Sequence, residues 1–402
     1  MSAIDALGMG GMRRRVAADN HQAPTWLCGH PVEHAAMTTP VTFKFGEGQI
    51  SSCLCLLFGA LSLGGVLCFW FPELLTTPEF RAHYDLDIMR MLLHGTLTLT
   101  FLFGLIAVSI CRWPMIAGAG LLAGLAALAL GGAAAGGEQA IHTALFPLGL
   151  DWLLLDLLAT AFIFIALEQA FALRREQLIL RQEWPLDLGY FVMTHLLVTA
   201  ILLITTTTVS GLFSWSINRA LQAQVAALPL WVQLPVILLL ADLAQYWSHR
   251  LMHTIPALWR VHAVHHSAPT MDWLASSRLH LGEILITRTC VLAPIFILGF
   301  SQTAVAIYVV YIGIHAIFVH ANVRFTFGWF RHLIVTPAHH HWHHSEDPAA
   351  ANTNFAVHYP WLDRLFGTWY APAGKWPTSY GIGTERLPPG MIRQFLYPLR
   401  RR

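Results

Sequence analysis

The sequence predicts an all-α integral membrane protein with about eight transmembrane helices and a cytosolic, histidine-rich cap. Of the 402 residues, 55% are hydrophobic and only 11% are charged, whereas a soluble domain carries about 25% charged residues. Apolar runs long enough to cross a bilayer, about 20 residues each, recur along the chain. Histidine is also unevenly distributed, because 15 of the 22 histidines lie between His249 and His358.

The predicted spans follow a polar N-terminal tail, residues 1–48. They are placed at residues 51–71, 91–110, 116–135, 148–172, 188–213, 228–247, 284–300 and 303–320. The last two runs are short enough to form a re-entrant hairpin instead of two full crossings.

Arginine placement predicts the orientation. Arginines precede the first span and follow the fourth, sixth and eighth, for example Arg174, Arg250 and Arg260. In an eight-span chain these positions share one side, which the positive-inside rule identifies as the cytosol. The formal net charge is only +2, and the chain has no basic stripe, so a nucleic-acid partner is not expected.

The first four spans differ from the rest. Residues 121–135 are almost entirely Ala, Gly and Leu, and such small side chains allow close helix packing in lipid. His94 and His142 are isolated there, and we interpret both as structural. The expected domains are a cytosolic tail (1–48), an accessory four-helix bundle (49–173), a catalytic domain (174–370) and a C-terminal cytosolic tail (371–402).

Three histidine clusters carry the candidate chemistry. Residues three or four apart on a helix share a face, so each cluster is expected to direct its imidazoles at one point. The eight ring ligands are too many for one metal ion and suit two. They are His249 and His253, then His262, His265 and His266, then His340, His343 and His344.

Further polar residues lie beside these clusters. Asp242 is on the same face of the sixth span as His249, and a carboxylate there is expected to hold a ligating imidazole through its second ring nitrogen. His280, with Glu283 one turn later, and His320, close to Asn322, are expected to complete the two coordination spheres. After the third cluster, Asn352, Asn354 and Asp363 are expected to support the ligands from behind or to belong to a cap over them.

In these residues the chain resembles the fatty acid hydroxylase/sterol desaturase superfamily of membrane di-iron oxidases, and especially its bacterial branch. The HxxxH and two HxxHH boxes formed by the eight histidines match, as do their flanks: Tyr246–Arg250, Leu258–Arg260, His320–Asn322, Thr336–Pro337 and Trp361–Thr368. The likeness covers residues 174–370. One departure is Leu281, where many relatives have proline after the histidine.

The resemblance implies two iron ions that reduce O2, a lipid substrate that enters from the bilayer, and a bacterial inner-membrane location. It also implies an external electron donor of the cytochrome b5 or ferredoxin type, since the sequence carries no flavin, haem or ferredoxin motif. Imidazole alone suits iron, copper and zinc.

Several alternatives stay open on the sequence. Hydroxylation and desaturation share hydrogen abstraction and differ in a later step that no motif reports. Sterol, fatty acyl, carotenoid and hopanoid lipids are all compatible substrates. The alternative function is a non-catalytic, histidine-rich membrane protein that binds or transports metal; clustering of the histidines on one side disfavours a transport path.

Overall fold

A computed structural model describes residues 48–77, 81, 85–110, 114–136 and 147–400. Nearly all of the predicted N-terminal tail, and His142, lie outside these residues. Within them the protein is helical, and the only β-type contacts are two isolated bridges, Ala172 with Val323 and Ser345 with Tyr380. Eight helical segments in this part of the chain are long and apolar enough to cross a membrane, which confirms the predicted fold class.

We number the α-helices in chain order. They are α1 (Gln49–Trp70), α2 (Pro72–Leu75), α3 (Leu86–Ile110), α4 (Pro114–Ala129), α5 (Leu150–Phe171), α6 (Trp184–Leu196), α7 (Val198–Phe213), α8 (Arg219–Ala226), α9 (Leu230–Thr254), α10 (Pro256–His266), α11 (Leu281–Leu298), α12 (Gln302–His320), α13 (Pro337–His343), α14 (Trp361–Leu365) and α15 (Met391–Phe395). The eight candidate spans are α1, α3, α4, α5, α7, α9, α11 and α12.

Helices α1, α3 and α4 pack around a core of their own, which includes Val66, Leu93 and Ala127. The backbones of α1 and α4 touch, because a Cβ added at Gly59 would lie 2.3 Å from the carbonyl oxygen of Gly120. Glycine at these positions allows the close approach that the small-residue composition predicts.

Helix α5 packs instead toward the histidine-bearing half. Its Leu153 and Phe164 share a core with Phe191 of α6, Trp273 and Val323. The carboxylate of Glu168 accepts hydrogen bonds from the backbone N–H groups of Trp273 (2.8 Å) and Asn322 (2.9 Å). The fourth span is therefore joined to the part of the chain that follows it. It also contacts the part that precedes it, because the carboxylate of Asp151 accepts a hydrogen bond from the N–H of Thr77 at 3.0 Å.

The fifth predicted span, residues 188–213, is divided. Helix α6 ends at Leu196, and the candidate span begins at Val198. The first part carries the buried Asp187 and the partly buried His195, whose Nε2 lies 2.8 Å from Asp156. These polar groups need protein partners, so α6 packs inside the molecule while α7 forms the apolar crossing.

The last spans bring their ends together at one side of the bundle. Helices α9, α11 and α12 share an apolar core that includes Ile237, Ile295 and Tyr308. The C-terminal end of α9, the N-terminal end of α11 and the C-terminal end of α12 meet α10 and α13. Residues 353–370 close over this junction through a second core around Tyr246, Phe355 and Leu362.

Candidate metal centre

Nine histidines converge at this junction in two groups. The ligand nitrogens within each group lie within 4.8 Å of one another. Group A contains His249, His253, His262, His266 and His343. Group B contains His265, His320, His340 and His344. Eight of the nine are buried, and His253 is partly exposed.

Each HxxHH box divides between the two groups. His262 and His266 belong to group A, while His265 between them belongs to group B; His340 and His344 belong to group B, while His343 belongs to group A. On a helix, residues i and i+4 differ by about 40° in direction, whereas i+3 and i+4 differ by about 100°. The expectation that each cluster points at one place is therefore corrected by helix geometry.

The two groups adjoin. The rings of His266 in group A and His344 in group B stack with centroids 4.3 Å apart, and those of His343 and His344 lie 5.3 Å apart. Such adjacency suits a site in which two ions act on one bound molecule.

Nitrogen spacing within the groups suits a shared ion. In group A, Nε2 of His262 lies 3.1 Å from Nε2 of His249 and 3.0 Å from Nε2 of His266. In group B, Nε2 of His320 lies 3.3 Å from that of His265 and 3.1 Å from that of His340. Two nitrogens bound at about 2.1 Å to one ion, at right angles, are about 3.0 Å apart.

The outer ring nitrogens determine the tautomers. In five of the nine histidines, Nδ1 faces an oxygen that can only accept a hydrogen bond, so Nδ1 carries the proton and donates. The acceptors are the carbonyl oxygens of Phe355 for His249, Arg278 for His265, Ala316 for His320 and Thr353 for His343, and the carboxylate of Glu283 for His262.

The assigned tautomers show whether the space between the facing ring nitrogens suits a metal cation. In a neutral imidazole with a proton on Nδ1, Nε2 carries only a lone pair. His249 and His262 therefore face each other with two lone pairs at 3.1 Å, as do His265 and His320 at 3.3 Å. The buried Nε2 of His343 has no hydrogen-bond partner among the described residues. A metal cation between the nitrogens turns these repulsive contacts into favourable ones, so the donors fit the ions that the resemblance implies.

Burial keeps the imidazoles in the neutral form that binds metal. For the six group members outside the spans, burial and then neighbouring imidazoles lower the pKa well below its ordinary value. These six are His262, His265, His266, His340, His343 and His344. Metal binding therefore does not have to displace protons from them near neutral pH.

Glu283 lies where the sequence predicts a supporting carboxylate. Its Oε1 accepts a hydrogen bond from Nδ1 of His262 at 2.8 Å. Such a partner fixes the ring and makes the ligating nitrogen more basic. Among the nine histidines, His262 is the one whose described partner is a carboxylate, so the support of group A differs from that of group B.

Asp242 has a different role from the expected one. Its carboxylate accepts hydrogen bonds from the backbone N–H groups of Val357 (2.7 Å) and Tyr359 (2.6 Å), not from an imidazole. Asp363 binds the same segment through the N–H groups of Phe355 (2.7 Å) and Ala356 (3.2 Å). Both acids therefore hold in place the irregular segment 355–359, in which the carbonyl oxygen of Phe355 orients His249.

The three asparagines also act on the backbone or the ring edges. Asn354 has a φ of 59° and bonds the carbonyl oxygens of His339 and Tyr370. The side chain of Asn352 lies beside the ring of His253. Asn322 pairs with the backbone of Arg174 through both ends of its amide, and so joins the end of α12 to the segment after α5.

His280 lies outside both groups. Its Nδ1 accepts the N–H of Gly282 at 3.0 Å as the N-cap of α11, and its Nε2 donates to the carbonyl oxygen of Phe395 at 3.0 Å. With both nitrogens engaged, His280 is not placed to bind a metal in this arrangement. His320, the other added candidate, does lie in group B.

Sequence reasoning gave no role to the backbone carbonyls, and it noted Trp259 only as part of a matching flank. The ring of Trp259 lies 5.2 Å from that of His253 and 5.6 Å from that of His266, between centroids. Its Nε1 donates to Glu385 at 3.4 Å. The spacing of Trp259, three residues before His262, was the available signal, because i and i+3 share a helix face.

Comparison with known proteins adds a family. Residues 234–368 match the family model described as fatty acid hydroxylase. The chain is 31% identical over 178 residues to ornithine lipid hydroxylase OlsE of Rhizobium tropici, covering 43% of this chain and 52% of that protein. It is 26% identical over 141 residues to alkylglycerol monooxygenase of Homo sapiens, covering 35% and 31%.

A third relative is the very-long-chain aldehyde decarbonylase GL1-7 of Oryza sativa subsp. japonica, 27% identical over 154 residues, 36% of this chain and 24% of that protein. The matched region thus spans about half or less of the length of these relatives. No solved structure matches. The residues that match the family model, 234–368, include all nine histidines of groups A and B. Residues 234–368 are therefore similar to the fatty acid hydroxylase family, in agreement with the resemblance seen in the histidine boxes.

Proposed function

We propose that this chain is a membrane-bound oxidoreductase that hydroxylates a C–H bond of a membrane lipid with O2, using two iron ions held by groups A and B. The observation that carries the proposal is the convergence of nine mostly buried imidazoles whose unprotonated nitrogens face one another. Carriers of metal do not need so fixed a double site at one end of the spans, whereas oxidation of an unactivated C–H bond does.

The residues of groups A and B would hold the ions, and their backbone and carboxylate partners would keep the rings in place. When bound, the iron ions would supply reduction of O2 and abstraction of hydrogen from the substrate carbon. Hydroxylation inserts one oxygen atom into the C–H bond and reduces the other to water, which consumes two electrons and two protons. Burial of the ligands excludes bulk water that would otherwise divert the oxidant.

The substrate we propose is a lipid with its polar group at the membrane surface. Support comes from the position of the groups at the ends of spans α9 and α12 and from the relatives, whose names describe an ornithine lipid hydroxylase and an alkylglycerol monooxygenase. Those names favour hydroxylation over desaturation for this chain as well.

We propose that the site faces the cytosol of a bacterial inner membrane, because the arginines cluster on its side of the predicted spans. A soluble or membrane-bound one-electron carrier, of cytochrome b5 or ferredoxin type, would deliver the electrons there.

The test compares lipids from cells that express the wild type or His343→Ala, grown under 18O-labelled O2. We expect one lipid to gain a single labelled oxygen with the wild type alone. Loss of two hydrogens without label would indicate desaturation instead. Identical lipids in both cultures, with iron bound and a donor present, would contradict an oxidase and favour the non-catalytic metal protein.

A further inference from the structure

The C-terminal segment Met391–Arg400 exposes an apolar stripe. It consists of α15 and a following 3-10 turn, Tyr397–Leu399. Ile392, Leu396 and Leu399 are 74%, 53% and 77% exposed. Their spacing of four and three residues places them on one side of the helical segment. Large aliphatic side chains aligned in this way mark a surface that binds something apolar.

The inward side of the segment is polar and aromatic. Gln394 is buried and its Oε1 accepts a hydrogen bond from the hydroxyl of Tyr190 at 3.1 Å. Phe395 stacks on His280, with ring centroids 4.6 Å apart. This pattern is the reverse of a water-facing helix, which turns its apolar side toward the protein.

The segment lies at the level where a span ends. His280 is the N-cap of α11, a candidate span, and it donates to the carbonyl oxygen of Phe395 at 3.0 Å. The guanidinium of Arg260 donates to the carbonyl oxygen of Arg400 at 2.8 Å. The exposed stripe is therefore close to the membrane boundary that the end of α11 defines.

Its charges are all of one sign. Residues 386–402 contain five arginines and no acidic residue. Arg393 and Arg400 are both exposed beside the apolar stripe. Arginines next to an apolar stripe favour binding to a lipid bilayer, in which anionic headgroups lie directly above the hydrocarbon.

We propose that residues 391–400 form an in-plane membrane anchor, with Ile392, Leu396 and Leu399 in the acyl boundary and Arg393 and Arg400 on anionic headgroups. A second copy of the chain is a poorer occupant, since three side chains fall far short of the roughly 800 Å² per partner of a stable interface. The anchor would hold α10 and the N-terminal end of α11, and with them His262 and Glu283, against the bilayer surface.

A second segment supports the same placement independently. Between α12 and α13, Phe327, Trp329, Phe330, Leu333 and Ile334 are 41%, 66%, 61%, 41% and 42% exposed. Trp, Phe and Leu beside arginine are typical of segments that lie in the bilayer interface. This stretch begins seven residues after His320, where the span α12 ends.

The experiment measures immersion depth in the full-length protein. Ile392→Cys, Leu399→Cys and the control Ser379→Cys are each made in a variant whose six native cysteines are replaced, and each is spin-labelled. The proteins are placed in nanodiscs of phosphatidylcholine with or without phosphatidylglycerol. Ser379 is exposed and polar, so its label reports a position in water.

We expect spin labels at positions 392 and 399 to collide more often with O2, and less often with a water-soluble nickel chelate, than the label at position 379. The ratio of the O2 collision rate to the nickel collision rate should therefore be several-fold higher at 392 and 399 than at 379. Arg393→Glu with Arg400→Glu should reduce that ratio in discs containing phosphatidylglycerol, and Arg393→Gln with Arg400→Gln should reduce it less. Equal ratios at 379 and 392 would overturn the anchor. Shielding from both reagents would also overturn it and would indicate a protein partner. Neither readout depends on metal or turnover.

Discussion

The partner of the ring nitrogen that points away from the centre of each group distinguishes group A from group B. Four of the five assigned Nδ1 atoms donate to neutral backbone carbonyls, and His262 alone donates to a carboxylate, Glu283. A negative partner raises the basicity of the opposite nitrogen more than a carbonyl does. The two ions are therefore expected to be held unequally, with the stronger support in group A.

Glu283→Gln tests this inequality. The amide keeps an acceptor for Nδ1 of His262 but loses the charge, so we expect affinity for one of two ions to fall about 10- to 100-fold. Chelator competition followed by metal analysis measures both affinities. Asp156→Asn, which removes the charge from the carboxylate partner of His195 outside both groups, is the matched control. Equal weakening of both ions by Glu283→Gln would contradict the assignment.

His320 and His280 make a matched pair. His320 lies in group B, whereas both nitrogens of His280 bind backbone. We expect His320→Ala to lose about half of the bound metal and His280→Ala to keep it, with a stability loss of about 1 kcal/mol from the missing N-cap. Metal analysis and thermal unfolding of the two variants check this. Metal loss in His280→Ala comparable to that in His320→Ala would return His280 to the ligand set.

Acid should destabilise the fold through buried histidines that are not in either group. Burial lowers the pKa of His341 to about 3, and its Nδ1 accepts a hydrogen bond from the hydroxyl of Tyr380 at 2.8 Å. The folded state then binds fewer protons than the unfolded state between about pH 6.5 and pH 3, so stability falls as the pH falls through that window. At pH 5 the loss is about 2 kcal/mol for one such histidine.

Thermal unfolding of metal-free protein at pH 7.5 and pH 5 measures the effect. His341→Gln, which stays neutral, should show a smaller difference between the two pH values than the wild type. A larger or equal difference in that variant would show that His341 does not contribute.

At this scale the sequence predicts residue types better than contacts. The eight box histidines and His320 come together because helical spacing and position at span ends constrain them. Asp242 was expected behind an imidazole, yet a carboxylate on a helix can equally accept backbone N–H groups from a loop that is distant in sequence. His280 shows the same limit, since capping a helix and binding a metal use the same ring nitrogen.

Among the elements, the loop after α13 matters most for the site. Asp242 of α9 and Asp363 of α14 bind four of its backbone N–H groups, at Phe355, Ala356, Val357 and Tyr359. The same loop presents the carbonyl oxygens of Thr353 and Phe355 to His343 and His249. An all-helical protein thus uses irregular backbone to orient two histidines of group A.

A double-mutant cycle on Asp242→Asn and Asp363→Asn tests this arrangement. Each change weakens two buried hydrogen bonds to a charged acceptor, at about 1.5–3 kcal/mol per bond. Because both acids hold one loop, the two losses should be non-additive, with a coupling above about 0.5 kcal/mol. Thermal or denaturant unfolding gives the energies, and metal affinity of group A should fall in both single variants. Additive losses would indicate two independent segments.

For the whole molecule, hydropathy predicts the eight crossings because length and composition decide them. It does not predict the break at Leu197, since Asp187 and His195 lower the apolar character of α6 only slightly while requiring partners inside the protein. Nor does it predict that α5 belongs with the second half, because the Glu168 contacts join residues more than 100 positions apart.

The position of α5 leads to a prediction about the first three spans. Helices α1, α3 and α4 have their own core, whereas Glu168 of α5 binds the N–H groups of Trp273 and Asn322. A chain that starts at Phe146 should therefore still insert and bind metal in both groups.

Glu168→Ala in the full-length chain should cost about 2–6 kcal/mol, because it leaves two buried N–H groups unpaired. Glu168→Gln keeps an acceptor and should cost less. Metal content and thermal unfolding in detergent compare the three proteins. If the shortened chain lost its metal while Glu168→Ala kept it, the first three spans and not α5 would support the site.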